Sequence, residues 1–193
     1  MAQVTLILGP MFSGKTTTLL QCIQWSQKLD KPVQVFKPKL DTRYLKHAIT
    51  SHDGKSAEAT PVVNAGDILL LVDENTRMVV IDESQFFGWE VSGVCLKLSV
   101  TEGIDVVCAG LERDFRGEDF GPIPLLKAIR NVNIQRLKAT CSVCGRKNKA
   151  TETQRLIGGQ PAHYDEPTIQ VGGSESYEAR CKRCHEIPGK PTR

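Results

Sequence analysis

Apolar residues along the first 140 positions form short continuous runs that alternate with stretches of helical spacing. The run Val4–Leu8 is rich in β-branched residues and predicts a buried strand, followed by a helix over 17–28. Further strands are predicted over 33–37, 78–81, 104–109 and 132–137, and helices over 65–73 (capped by Asn64), 89–100 and from Pro122 through Ile129. Residues 41–55 are too irregular for either element. This alternation predicts an α/β fold whose parallel sheet is covered by helices on both faces.

The pattern changes at Cys141. From there to the C-terminus the chain is polar and Gly-rich, has no helical period, and carries two cysteine pairs. We therefore predict a boundary near Thr140, with one domain over residues 1–140 and a second over 141–193.

A complete G-x-x-x-x-G-K-[ST] loop occupies residues 9–16, between the first predicted strand and helix. In such a loop Gly9 and Gly14 let the backbone wrap a phosphate chain, and N–H groups at the helix start face it. Lys15 would reach the β- and γ-phosphates, and the Thr16 hydroxyl would hold Mg²⁺. A chance glycine turn before a helix is the alternative, which the complete spacing disfavours. The loop predicts binding of a nucleoside triphosphate.

The predicted strand 78–81 ends in Asp82-Glu83-Ser84-Gln85, a second nucleotide signature. Asp82 is placed to hold Mg²⁺ with Thr16, and Glu83 to take a proton from an attacking hydroxyl or water. Alone, the acidic pair would be read as a solvated turn. The string also resembles a helicase motif, but a helicase needs a second motor domain, and 193 residues leave room for one.

Cys141, Cys144, Cys181 and Cys184 form two Cys-x-x-Cys pairs, a spacing that favours a closed, structural zinc site with four thiolates. His185 is a rival fourth ligand, and free thiols or a redox pair are the alternatives. The remaining cysteines, Cys22, Cys95 and Cys108, occur singly in apolar patterns and are predicted to be buried thiols.

Composition narrows the function classes. The net charge of +3 is too small to argue for a nucleic-acid partner. No apolar stretch approaches the ~20 residues of a membrane span, and the N-terminus lacks a secretion signal. With reduced cysteines, these features predict a cytoplasmic protein with neither nucleic acid nor membrane as partner.

Phe115 and Phe120 fall in a loop after the predicted strand 104–109, where α/β proteins build ligand sites. Packing of both rings onto the core is at least as plausible from spacing alone. Phe86 and Phe87, after the acidic pair, pose the same choice.

Taken together, these residues resemble the type II thymidine kinases of bacteria, phages and animal cytosol. The resemblance covers nearly the whole chain and an ordered set of motifs. They are the loop 9–16, Asp41-Thr42-Arg43-Tyr44, His52-Asp53, the string Asp82 to Phe87, Gly110-Leu111, Asp114 to Glu118, Phe120-Gly121, both cysteine pairs and 171–177.

The resemblance implies a P-loop (RecA-like) sheet over 1–140 and a small zinc-binding lasso domain over 141–193. It implies transfer of the ATP γ-phosphate to the 5′-hydroxyl of thymidine, giving dTMP and ADP. Glu83 would be the general base, with Lys15, Arg43 and Mg²⁺ neutralising charge; from spacing alone, Asp41 and Arg43 could equally lie in a surface turn. The implied magnesium ligands are Thr16, Asp82 and Asp41. The implied ATP-binding residues are Gly9, Pro10, Met11, Phe12, Ser13, Gly14, Lys15, Thr16, Asp82, Glu83, Ser84 and Gln85.

The family also grips thymine inside a loop tethered by zinc, largely through main-chain groups. The matching nucleoside-binding residues here are Met11, Phe86, Leu111, Phe115, Phe120, Gln170, Val171, Gly172, Gly173 and Tyr177. ATP and thymidine are thus the implied ligands, with feedback inhibition by dTTP and a homotetramer as further family expectations. Three alternatives stay open: a kinase for another nucleoside such as deoxyuridine, a nucleic-acid-stimulated ATPase with a zinc ribbon, and a nucleotide-binding regulatory switch.

Overall fold

The computed structural model describes residues 2–40, 47–51 and 53–191. In chain order its elements are β1 (Val4–Leu8), α1 (Lys15–Lys28), β2 (Val33–Pro38), β3 (Ala48–Thr50), β4 (Ser56–Glu58), β5 (Thr60–Val62), α2 (Gly66–Leu71), β6 (Met78–Ile81), α3 (Val91–Leu96), β7 (Asp105–Gly110), α4 (Ile123–Lys127), β8 (Asn133–Arg136), β9 (Glu152–Ile157), β10 (Gln160–Pro161) and β11 (Tyr177–Arg180). A 3₁₀ turn covers Ser84–Phe86, and α3 continues as a wider π-helical turn over Lys97–Thr101.

The main sheet is parallel and has six strands in the order β5-β2-β6-β7-β1-β8. Successive residues of β1 face opposite sides: Leu6 and Leu8 join a cluster with α2, α3 and α4, whereas Ile7 joins a cluster with α1. Since both faces are buried, β1 can be apolar at every core position. The predicted α/β fold with helices on both faces is confirmed.

Two local predictions are wrong. Asn64 does not cap α2, because Ala65 occupies that position and no side chain caps it; instead the Asn64 N–H donates to Asp67 Oδ2 at 3.2 Å. The stretch 41–55 is not wholly irregular, because β3 lies within it and pairs antiparallel with β4. Residues 41–46 and 52 lie outside the described part of the chain.

Beyond Ala139 the chain forms a second, antiparallel sheet in the order β10-β9-β11. The first four residues of β9 are polar and all buried. None of the helices within the described residues has the length and apolar character needed to cross a bilayer.

Candidate active site

Three loops meet at one edge of the main sheet, after β1, β6 and β7. Parallel strands end at the same edge, so residues 9–14, 82–86 and 111–121 are brought together there. Strand β7 lies between the other two. This edge is where open α/β sheets bind ligands.

The loop 9–14 turns directly into α1. Gly14 has φ +86°, a left-handed conformation that glycine adopts without steric cost, and α1 begins at Lys15. The Lys15 ammonium and the Ser13 hydroxyl each donate to the Pro10 carbonyl at 2.8 Å. An open groove runs along this loop, and its lining residues are Met11 to Thr17, Thr50, Glu83, Ser142, Ser174, Tyr177 and Glu178. The start of a 14-residue helix favours anions in such a groove.

Thr16 and Asp82, the pair predicted to hold magnesium, approach each other across this edge, and their role as ligands stays a prediction. The Thr16 hydroxyl donates to Asp82 Oδ2 at 3.4 Å, and the Glu83 N–H donates to Asp82 Oδ1 at 2.9 Å. Asp41 and Arg43, the other predicted phosphate and metal residues, lie outside the described residues, and their roles stay predictions.

Glu83 has a left-handed backbone, with φ 48° and ψ 42°, and precedes the 3₁₀ turn. That conformation costs a non-glycine residue about 1–2 kcal/mol. Its carboxylate accepts a hydrogen bond from Gln85 Nε2 at 2.5 Å. Ser84 donates to the Ala109 carbonyl at 2.9 Å, and in the described part of the chain neither Ser84 nor Gln85 lines the groove.

A cavity lined mainly by apolar side chains adjoins the groove. Its walls are Met11, Glu83, Phe86, Leu111, Phe115, Phe120, Thr153, Thr168, Ile169, Gln170, Val171, Gly172 and Tyr177. Met11, Glu83 and Tyr177 line both the cavity and the groove, so the two spaces meet at these side chains.

The aromatic residues resolve the choice that the sequence left open. Phe86 and Phe120 make an edge-to-face contact at 5.7 Å, and Phe115 and Phe120 are both buried while lining the cavity. Phe87 instead packs into the main core. Three of these four rings therefore serve packing and the cavity together.

The segment 166–171 covers the cavity and accepts hydrogen bonds from three side chains that hold it in place. Tyr177 donates to the Gln170 carbonyl at 2.6 Å. The buried Arg155 guanidinium lies over the Phe115 ring at 5.0 Å and donates to Pro167 O and Gln170 Oε1. Arg116 lies 5.3 Å from the same ring and donates to the Glu166 carbonyl at 2.6 Å.

Four residues at or beside the cavity were not predicted from the sequence: Thr153, Arg155, Thr168 and Ile169. Gly173, which the resemblance placed at the nucleoside, is not among the cavity residues within the described chain; its N–H donates to Glu175 Oε1 at 2.6 Å. Its contact with a nucleoside stays a prediction.

The four paired cysteines form one cluster, with sulfur atoms all within 4.8 Å of one another. A tetrahedral zinc ion with Zn–S bonds of about 2.3 Å places its sulfurs ~3.8 Å apart, so the cluster could hold such an ion. His185 Nε2 lies 2.9 Å from the Phe115 carbonyl, and Cys184 rather than His185 belongs to the group.

The cluster favours thiolate at Cys141 and Cys181. Burial raises the pKa of Cys181, but hydrogen bonds from Cys184 and from the Arg183 backbone N–H outweigh it and lower that pKa. Burial raises the pKa of Cys141, but backbone N–H groups of Cys144, Cys181 and Val143 and the Cys144 side chain outweigh it and lower that pKa to about 6. A hydrogen bond with Cys181, together with burial, raises the pKa of Cys184 to about 12. A bound cation would favour the thiolate form of all four.

The described residues thus combine a phosphate-binding loop, an adjoining apolar cavity and a four-cysteine cluster. The family model for thymidine kinase matches residues 2–185, which is nearly the whole chain.

Proposed function

Because the chain belongs to the thymidine kinase family, we propose that it transfers the γ-phosphate of ATP to the 5′-hydroxyl of thymidine. The products would be dTMP and ADP, as in salvage of pyrimidine deoxynucleotides. The proposal rests on one observation: the groove and the cavity meet at Met11, Glu83 and Tyr177, which line both. A nucleoside in the cavity and a triphosphate in the groove would present their reacting ends to Glu83.

Glu83 is the proposed general base. Its carboxylate takes the 5′-hydroxyl proton as the nucleoside oxygen bonds to the γ-phosphorus, while the bond from that phosphorus to the β,γ-bridging oxygen breaks and ADP leaves. Lys15, at the start of α1, would balance the charge of the transferring phosphoryl group. Arg43, which is not among the described residues, is proposed to help neutralise this charge.

Thr16 and Asp82 would hold the Mg²⁺ that accompanies ATP. A hydroxyl and a carboxylate are the hard oxygen donors that this ion prefers, and the two side chains already lie in contact. Bound there, the cation would neutralise negative charge on the phosphates. Asp41 is proposed as a further ligand.

The cavity is the proposed thymidine site. Phe86, Leu111, Phe115 and Phe120 would supply apolar walls for the base and sugar. Met11, which also lines the cavity, is proposed to receive the 5-methyl group. Main-chain groups of 170–172 would read the base edge. A main-chain acceptor that meets thymine N3–H would face a lone pair on cytosine, and leaving such a group unpaired costs about 1–3 kcal/mol.

Residues 141–193 are proposed to act as a zinc-binding lasso domain beside the nucleotide-binding domain 1–140. A site of four thiolates has no open position, so zinc here would be structural and would fix the loop over the cavity. A reducing compartment such as the cytoplasm would keep these thiols available.

Feedback inhibition by dTTP is also proposed: its nucleoside would occupy the cavity and its phosphates would extend into the groove. A homotetramer is proposed from the family alone. Inhibition assays and light scattering test these two points.

The function is tested by ADP release from Mg-ATP, assayed in parallel with thymidine, deoxyuridine, deoxycytidine, deoxyadenosine, deoxyguanosine and single-stranded DNA. Turnover with thymidine above all others supports the proposal. Turnover that DNA stimulates and nucleosides do not would reject it in favour of a nucleic-acid-stimulated ATPase. A preference for deoxyuridine would keep the reaction and change the substrate.

A further inference from the structure

We infer that Gln85 is a positioning residue, which holds the Glu83 carboxylate in place against the wall of the cavity. This inference rests on the proposed function, in which Glu83 takes the proton. Gln85 itself stays away from both substrates, since in the described chain it lines neither cavity nor groove.

The orientation of the Gln85 amide is fixed by its two partners. The Leu111 backbone N–H can only donate, and it lies 3.0 Å from Gln85 Oε1. The amide nitrogen therefore faces the other way, where Nε2 donates to Glu83 Oε2 at 2.5 Å. One amide group thus connects the proposed base with Leu111, a residue of the cavity wall.

Two glycines leave the space in which Gln85 sits. A Cβ atom on Gly110 would lie 2.7 Å from Gln85 Oε1, and one on Gly121, whose φ is +51°, would lie 2.3 Å from the Gln85 carbonyl oxygen. Gln85 is only 2% exposed. The end of β7 and the loop after it therefore pack closely against residue 85, Gly110 against its side chain and Gly121 against its main chain.

This arrangement bears on catalysis in two ways. A hydrogen bond donated to a carboxylate favours its charged form, which is the form that accepts a proton. The bond also restrains the rotamers of Glu83, whose position relative to the nucleoside wall would otherwise vary. Misplacement by about 1 Å can cost ~100-fold in rate.

Other charged and titratable groups also face the site. Asp82 contacts Glu83 directly, Lys15 lines the groove from α1, and Tyr177 and Glu178 line it from β11. All of them are unchanged in variants of Gln85. A shift of the pH profile between variant and wild type therefore comes from the change at the Gln85 amide.

The test is the pH profile of kcat/KM for thymidine with Gln85→Glu. This substitution keeps an acceptor for the Leu111 N–H and replaces only the donor that faces Glu83. Two neighbouring carboxyls resist losing both protons, so the acidic limb should move to higher pH by about 1–2 units. At neutral pH kcat should fall about tenfold, while the thymidine KM changes by less than about threefold. An acidic limb at the wild-type position would overturn the inference.

Gln34→Glu is the matched control. Gln34 also bridges two elements through its amide: Nε2 donates to the Leu71 carbonyl at 3.0 Å and Oε1 accepts the Asp73 N–H at 2.8 Å. It lies in β2, near the end opposite the site, and its variant should keep the wild-type pH profile. An equal shift in both variants would assign the effect to general destabilisation and overturn the inference.

Glu83→Gln, assayed alongside, separates the two claims. If it turns over at the wild-type rate, the proposed base is wrong and the inference falls with it. If it is inactive while Gln85→Glu keeps the wild-type acidic limb, only the positioning role is rejected. Gln85→Met, which removes both hydrogen-bonding groups of residue 85, should lower kcat and move the acidic limb to higher pH by less than Gln85→Glu does.

Discussion

The Met11 N–H donates to Thr153 Oγ1 at 3.1 Å, which joins the phosphate-binding loop to the second sheet. The bond is buried and connects residues 142 positions apart in the chain. Both residues also line the cavity. The groove and the cavity therefore share a structural support as well as a boundary.

Removing the hydroxyl of Thr153 should weaken both sites. Thr153→Val preserves the shape but leaves the buried Met11 N–H without its acceptor, at a cost of about 1–3 kcal/mol. Thermal unfolding should shift down by ~2–4 °C per kcal/mol, and the KM values for ATP and thymidine should both rise. Thr153→Ser keeps the hydroxyl and should resemble the wild type. A Thr153→Val protein with unchanged melting and kinetics would show that this bond is unimportant.

Arg155 is expected to govern thymidine binding without affecting ATP. Lysine cannot reproduce two divergent donors or the contact of a guanidinium with the Phe115 ring, so Arg155→Lys should loosen the loop over the cavity. The loss of a charged hydrogen bond, about 1.5–3 kcal/mol, corresponds to at least a ~10-fold rise in thymidine KM. The ATP KM should not change.

The control for this variant is Arg77→Lys. Arg77 also donates to two main-chain carbonyls, those of Glu74 and Thr76. It precedes β6 and so lies at the end of the parallel strands that is opposite the site. Its kinetics should match the wild type. Equal increases in the KM values for ATP and thymidine in Arg155→Lys would contradict a role confined to the nucleoside.

Loss of the metal should affect the nucleoside site selectively. Chelation, or Cys181→Ser, removes the proposed zinc anchor of the chain around the cavity while the loop 9–16 stays on the main sheet. Calorimetry should show weaker thymidine binding and retained binding of a non-hydrolysable ATP analogue. Cys22→Ser, outside the cluster, should keep its metal content and both affinities. Simultaneous loss of both ligands on chelation would reject the selective role.

Asp82→Asn should change the magnesium requirement. The neutral amide attracts a divalent cation less strongly, so half-maximal activity should need more Mg²⁺, with thymidine affinity retained. Asp105→Asn is a fair comparison, because Asp105 accepts the Gln3 N–H at 3.0 Å at the other end of β7. If both variants titrate with Mg²⁺ like the wild type, Asp82 does not serve the cation.

The sequence predicts well those helices and strands whose pattern of apolar and polar residues agrees with their burial. Strand β1, the loop 9–14 and α1 carry an apolar run, a glycine motif and a helical period in succession, and each element forms where expected. Strand β5 was not predicted, because it has only three residues and one of them is Pro61, which is tolerated there since β5 is an edge strand.

Strand β9 was also not predicted, for a different reason. Its first four residues, Glu152 to Arg155, are polar and at most 4% exposed, so no alternation of apolar and polar positions marks a strand. They are stabilised by partners far along the chain, such as Arg113 beside Glu152 at 3.8 Å and Glu186 bonded to Gln154. Thr153 and Arg155 at the cavity were unpredictable for the same reason.

Glu83 offers the most direct test of the central claim, that this chain phosphorylates thymidine with Glu83 as the base. The measurement is dTMP formation from Mg-ATP and thymidine by wild type and Glu83→Gln, followed chromatographically under saturating substrates. The wild type should form dTMP, and Glu83→Gln should show a kcat reduced about 10²–10⁴-fold with little change in either KM. Formation of dTMP by Glu83→Gln at the wild-type rate would contradict this claim.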